Sequence, residues 1–189
     1  LVAQKISQQL GGSSVSPPVS TPSSGKGIVE CAAEWTGATP EQKALLDTLA
    51  YAEATTFYGI EKGVSSYNIM LGGRVIKDLS GHPRKTGEMP PGGFPFGSGS
   101  DTSTAAGRYQ FLYCKSSACE TFFPNGFWPI EQDKEAWKRV TSVRHVSLDA
   151  VKSAGSTVSL WTPLWDKLAP EWASSRYSPK GKRFYGQGE

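Results

Sequence analysis

The most constraining feature of this sequence is an apolar stripe that ends in a carboxylate. Thr39-Pro40-Glu41-Gln42 reads as a helix start. Thr39 can cap, Pro40 suits the first helical position, and Gln42 can reach back to close a capping box. Leu45, Leu46, Leu49 and Ala50 follow, and Glu53 lies seven residues after Leu46, four after Leu49 and three after Ala50. At the α-helical period these positions share one face. The helix is predicted to run to about Thr55, which puts Glu53 on the buried stripe near the C-terminal end. Burial and the negative end of the helix dipole both disfavour a carboxylate there, so its pKa is expected to rise. An acid still protonated near neutral pH can donate a proton to a leaving oxygen. The alternative is a solvated Glu53 at the helix edge, or one paired with an arginine such as Arg84 or Arg108.

Composition narrows the class. The 189 residues are 38% hydrophobic and 20% charged, with a net charge of +3. That balance fits a soluble globular domain rather than a disordered chain, and is too weakly basic to argue for nucleic acid. No run approaches the length of a spanning helix. The basic group Arg176, Lys180, Lys182 and Arg183 reads as a solvated tail or as a patch for anionic wall polymers. Cys31, Cys114 and Cys119 match no zinc spacing, and His82 and His145 are not arranged as their partners. A Cys114–Cys119 disulfide and three free thiols are both open readings. Nothing calls for a metal or cofactor.

Residues 11–27, GGSSVSPPVSTPSSGKG, offer almost nothing to bury and read as a linker. Residues 1–27 are therefore expected to be a flexible tail and 28–189 the folded domain. The first residue is Leu, so the sequence is expected to be a processed or excised product, tethered to something N-terminal. Residues 67–78 predict two short strands around a two-residue Gly72-Gly73 turn. Residues 86–103 predict a long irregular loop. An ordered element starts at Ala105 and is predicted to be helical after Gly107. Residues 131–152 have helical character, with Trp137, Val140, Val143 and Val146 near helical spacing. Ser156 to Trp172 predicts a last helix with Trp161 and Trp165 in the core. Helices with one small hairpin imply an α+β domain.

A second signal is Ser103-Thr104-Ala105-Ala106-Gly107-Arg108-Tyr109-Gln110-Phe111. Small residues allow close backbone approach, while Arg, Tyr and Gln supply donors and a ring face suited to sugars. The alternative is a glycine-based helix start with Tyr109 and Phe111 in the core.

Taken in order, four segments resemble the phage lambda lysozyme (endolysin) family of lytic transglycosylases. They are the run from Leu45 to Glu53, Tyr67-Asn68 through Gly72-Gly73, Asp78-Leu79-Ser80-Gly81-His82-Pro83-Arg84, and Ser103 through Leu112. Trp172-Ala173-Ser174 followed by Tyr185-Gly186-Gln187 is a weaker match. Ala54 and Gly81 depart from the family pattern, where Gly and Asp are frequent. The resemblance implies a lysozyme-like α+β fold, mainly helical, with a small β-hairpin lobe and a cleft between lobes. It places the catalytic glutamate at Glu53. It suggests substrate contacts from Tyr67, Asn68, Asp78, His82, Arg84, Arg108, Tyr109, Gln110, Tyr185 and Gln187, with His82 and Arg108 also open to structural roles.

A two-carboxylate hydrolase needs a second acid across the sugar. Glu61, Asp78, Glu88 and Asp101 are the candidates, with Asp78 the best placed and a turn role its alternative. The resemblance implies instead that one acid serves alone. The expected activity is that of a peptidoglycan-cleaving, bacteriolytic muramidase, cutting MurNAc-GlcNAc β-1,4 bonds with a 1,6-anhydro product. A hydrolytic, chitin-directed glycosidase and an inactive wall-binding module are the competing readings. The chain is expected to act as a monomer on glycan strands, exported to the periplasm or cell wall, and encoded by a bacterium or a phage.

Overall fold

The computed structural model describes residues 33–95, 101–113 and 123–172. The tail expected at 1–27, the three cysteines, Tyr185 and Gln187 lie outside the described residues. Helix α1, Pro40–Ala52, opens as the sequence predicts. The Thr39 hydroxyl accepts from the Gln42 N–H at 3.4 Å, and the Thr39 N–H donates to Gln42 Oε1 at 2.7 Å. Leu46, Leu49 and Ala50 are fully buried. The helix stops at Ala52, short of the predicted Thr55. Ala54 turns the chain with φ +59°, and α2, Thr55–Lys62, starts directly behind it.

A 3-10 turn at Ser66–Asn68 leads into β1, Ile69–Met70, which pairs antiparallel with β2, Arg74–Val75. Ile69 faces Val75 and Met70 faces Arg74. The connection is thus Leu71-Gly72-Gly73, three residues rather than the expected two. Gly72 and Gly73 both have positive φ, and a Cβ on Gly73 would lie 2.6 Å from the Tyr58 ring. The turn is shaped by α2 packing against it, which a local hairpin rule does not include.

His82 caps a short helix α3, Pro83–Thr86. The segment expected to be irregular over 86–103 contains a second ladder. Strand β3, Phe94–Pro95, pairs with β4, Thr102–Ser103. The helix expected after Gly107 is absent. Residues 107–110 instead form a tight turn closed by Ala106 and Phe111, whose backbones exchange hydrogen bonds of 3.1 and 2.8 Å. The Gly107 N–H is engaged by the Ile69 carbonyl at 2.7 Å, and positive φ at Gly107 and Gln110 takes the segment out of the helical region.

The C-terminal half is helical. Helix α4, Pro129–Lys138, continues into a π turn at Arg139–Val143. His145, with φ +54°, separates it from α5, Leu148–Ala154, which Ser147 caps. Helix α6, Val158–Leu168, follows. Val140 and Val146 are buried, but the π turn rotates Val143 outward, and it is exposed. Trp161 and Trp165 stack in the core as predicted, 5.7 Å between ring centroids. One apolar core joins the α1 stripe to Met70, Tyr109, Phe111, Phe127, Val140 and Trp165. Among the described residues, no helix is long and apolar enough to cross a membrane.

Candidate functional site

Glu53 is the C-cap of α1 and is half-buried. Its N–H donates to the Leu49 carbonyl at 2.9 Å. The stripe carries it toward the interior, while the end of the helix leaves part of the side chain in solvent.

The turn at 107–110 sits against this end of α1. The Thr55 hydroxyl lies 2.7 Å from the Arg108 carbonyl and 3.0 Å from that of Ala50. The Arg108 guanidinium is fully buried and pairs with Asp47 of α1 at 2.5 Å. It also donates to Ser66 Oγ at 2.5 Å and to the Tyr109 hydroxyl at 3.2 Å. The Arg108 N–H donates to Gln132 Oε1 at 2.8 Å. A Cβ on Gly107 would lie 2.3 Å from that same oxygen, so only glycine leaves room for the contact.

Asp133 is a fully buried carboxylate of the same cluster. It accepts from the hydroxyls of Tyr67 and Tyr109, at 2.8 and 2.5 Å, and from the Trp35 N–H at 2.8 Å. The incoming chain adds two further backbone donors, Ala33 to Asp47 and Glu34 to the Tyr67 hydroxyl, both 2.8 Å. Burial pushes the Tyr67 and Tyr109 hydroxyls well above their ordinary range. Burial also raises the Asp47 carboxyl, against the pull of Arg108. Arg108 and Asp47 are thus ion-paired and Asp133 is hydrogen-bonded, as low-dielectric surroundings require.

This placement corrects three expectations. Tyr67, Arg108 and Tyr109 were expected to touch sugar, but their side chains are at most 1% exposed. They form a buried polar scaffold. The reason is Asp47 and Asp133, a half-buried and a fully buried carboxylate whose interior placement the sequence patterning did not reveal. Asp47, Thr55, Gln132 and Asp133 are the residues that sequence reasoning missed. Each lies on or beside a helix already recognised, but its partner is remote in sequence, so no local signal marks it.

His82 is also interior. Its Nδ1 accepts from the Arg84 N–H at 3.2 Å and its Nε2 faces the Phe111 carbonyl at 3.1 Å. Together these fix the neutral, Nε2-protonated ring. Burial lowers its pKa to about 4. It caps α3 and ties it to Phe111 at the close of the 107–110 turn.

The remaining expected contacts are more open. Gln110 is half-buried with φ +50°, its amide donating to the Gly107 carbonyl at 3.0 Å. Asn68 is half-buried and donates across the hairpin to the Ile76 carbonyl at 2.9 Å. Half-buried Arg84 donates to the Pro91 carbonyl at 2.9 Å. Asp78 is exposed and accepts from the Ser80 N–H at 2.8 Å, and contacts from Ser80 lower its pKa. Glu88 accepts from the N–H groups of Lys77 and Asp78, both at 2.8 Å. Glu61 pairs with Lys62 on the surface, and Asp101 is exposed.

A pocket opens beside Gln110, lined also by Leu112, Arg139, Arg144, Glu171 and Trp172. Glu171 accepts from both Arg139 and Arg144. Glu53 does not line this pocket. Among the described residues, no group of three His, Cys, Asp or Glu could hold a metal ion.

A helical body, a two-stranded hairpin and a half-buried glutamate at the end of the first long helix define a lysozyme-like α+β fold. The solved structure of bacteriophage lambda lysozyme complexed with a chitohexasaccharide shares it, with a TM-score of 0.52 and 23% identity. That likeness covers 79% of this chain and 88% of the other. The sequence profile of the Endolysin family matches residues 43–188, and the chain belongs to that family. It is similar to the endolysin of Escherichia phage lambda, 36% identical over 72 residues. That match spans 38% of this chain and 40% of the relative's length.

Proposed function

We propose that the protein cleaves the glycan strands of peptidoglycan, with Glu53 as general acid and then base. The observation that carries this reading is the placement of Glu53. It stands half-buried at the C-terminal end of α1, at the position where the family resemblance puts the catalytic glutamate. Membership of the Endolysin family and the saccharide bound by the lambda lysozyme support the substrate class. Gln110, Asn68 and Arg84, each with an exposed portion, are the residues proposed to meet sugar. The site of action is the bacterial cell wall.

The finer reading is lytic transglycosylation. The Glu53 carboxyl gives its proton to the glycosidic oxygen as the bond from C1 of N-acetylmuramic acid breaks. The resulting carboxylate takes the proton of the same residue's 6-hydroxyl, and O6 bonds to C1. A 1,6-anhydro end forms and no water enters. Support comes from the four carboxylates weighed as a second acid. Asp78 accepts within a turn, Glu88 accepts from the backbone N–H groups of Lys77 and Asp78, Glu61 is in a surface ion pair, and Asp101 is exposed.

Mass spectrometry of digested walls tests the product. Anhydro-muramyl ends are expected, and hydrated reducing ends alone would overturn the transglycosylase reading. Glu53→Gln is expected to abolish lysis while wall pelleting persists. The chitin oligomer held by the lambda lysozyme favours one competing reading, a chitin-directed hydrolase. Turnover of chitohexaose with hydrated ends would establish it.

A further inference from the structure

We propose that Thr55 is a positioning residue for Glu53, acting through a hydroxyl clasp between α1 and the Arg108 turn. The inference rests on the reading of Glu53 as the acid.

At the junction after Glu53 the backbone departs from regular helix. Ala54 directly follows the C-cap of α1 and is itself the N-cap of α2. It adopts φ +59°, a conformation that disfavours any side chain, and caps α2 through its carbonyl alone, which accepts from the Tyr58 N–H at 3.0 Å. Its N–H bonds to the Tyr51 carbonyl rather than to that of Ala50. The Thr55 hydroxyl sits where that gap lies. It is fully buried, with the Ala50 and Arg108 carbonyls at 3.0 and 2.7 Å. A hydroxyl has one proton, so it serves the two acceptors in turn or shares between them.

The consequence concerns the segment between. Residues 50–55 are closed into a loop by the Thr55 contact to Ala50, and Glu53 is inside that loop. The contact to Arg108 then fixes the loop against the turn that carries Gln110. Asp47 pairs with the Arg108 side chain on the other side of Glu53. The Glu53 backbone is therefore held at two points by one residue of a remote turn. Losing one point lets the carboxyl drift relative to the sugar, and a displacement of about 1 Å can cost about 100-fold in rate.

The test compares Thr55→Val, Thr55→Ser and Glu53→Gln in the full chain, on solubilised glycan strands. Thr55→Val keeps the shape and removes the donor. Its kcat is expected to fall about 10- to 100-fold with KM within about twofold, below its unfolding temperature. Thr55→Ser is expected to restore kcat to within about threefold. A purely packing role predicts the reverse, because Ser loses the methyl that Val keeps. If Thr55→Val does not fold, Thr55→Cys replaces it, a weak donor of similar size, with kcat expected between Ser and the inactive limit. Wild-type kcat in a folded Val or Cys variant, or a Ser variant no better than Val, overturns the inference. Persisting turnover in Glu53→Gln overturns the acid reading itself, whatever the Thr55 variants do.

Discussion

The two ends of helix α1 are held in opposite ways. At the start, Thr39 and Gln42 exchange hydrogen bonds within four residues, with Pro40 setting the first turn. At the finish, Ala54 is in a disfavoured conformation, and the chain is retained by Thr55 and Asp47 through Arg108. The start is a local solution that any solvated helix can use. The finish depends on a turn more than fifty residues away in sequence. The Glu53 carboxyl, placed at the second end, gains a fixed neighbourhood but ties its geometry to the whole fold.

Breaking the tertiary end should have the largest effect. Arg108→Met leaves Asp47 without its cation. A loss of about 3–5 kcal/mol is expected, toward the lower figure because Asp47 keeps some solvent contact. Chemical denaturation reads it, and lysis should fall with it. A loss below about 1 kcal/mol would mean the pair does not hold this end.

His82 extends the comparison, because it is a local cap made by a buried side chain. Its folded pKa is about 4, lowered from 6.5 by burial. Between those values the unfolded chain binds the proton and the folded one does not. The stabilisation is therefore fully present above about pH 6.5 and is lost as pH falls toward 4. The total is about 3 kcal/mol. Denaturation curves at several pH values check this, and His82→Gln should flatten that part of the slope.

Thr39→Ala tests the local end. It should cost about 1 kcal/mol of stability and leave kcat unchanged well below the melting temperature. A fall in kcat would show that the two ends are coupled. The smallest effect is expected from Ala54→Gly. Glycine relieves the left-handed strain at some cost in backbone entropy, for a net gain of roughly 0.5–1 kcal/mol. Calorimetry should show a raised melting temperature, and a lowered one would mean Ala54 is not strained.

Much of the first helix could be read directly. The capping box, the stripe and the place of Glu53 upon it all follow from short-range rules that residues a few positions apart obey by themselves. The hairpin was legible in position but not in length, because Tyr58 occupies the space beside Gly73. The stretch after Gly107 reads as helix in isolation and is a turn in the structure, where Ala106 and Phe111 pair and Gly107 and Gln110 both take positive φ.

The candidate contacts divide along the same line. Tyr67, Arg108 and Tyr109 carry sugar-binding chemistry in their side chains, and nothing in the linear pattern distinguishes that use from a buried one. Asp47 and Asp133 decide it, by placing two carboxylates where the three can satisfy them. The sequence by itself determined the helix, its amphipathic face and the acid at its end. Those are properties of neighbours along a chain, set by backbone periodicity and capping. Only the tertiary structure decided which polar residues are scaffold and which remain at the surface. Burial and pairing of charges are relations between distant segments, and they exist only once the core has closed.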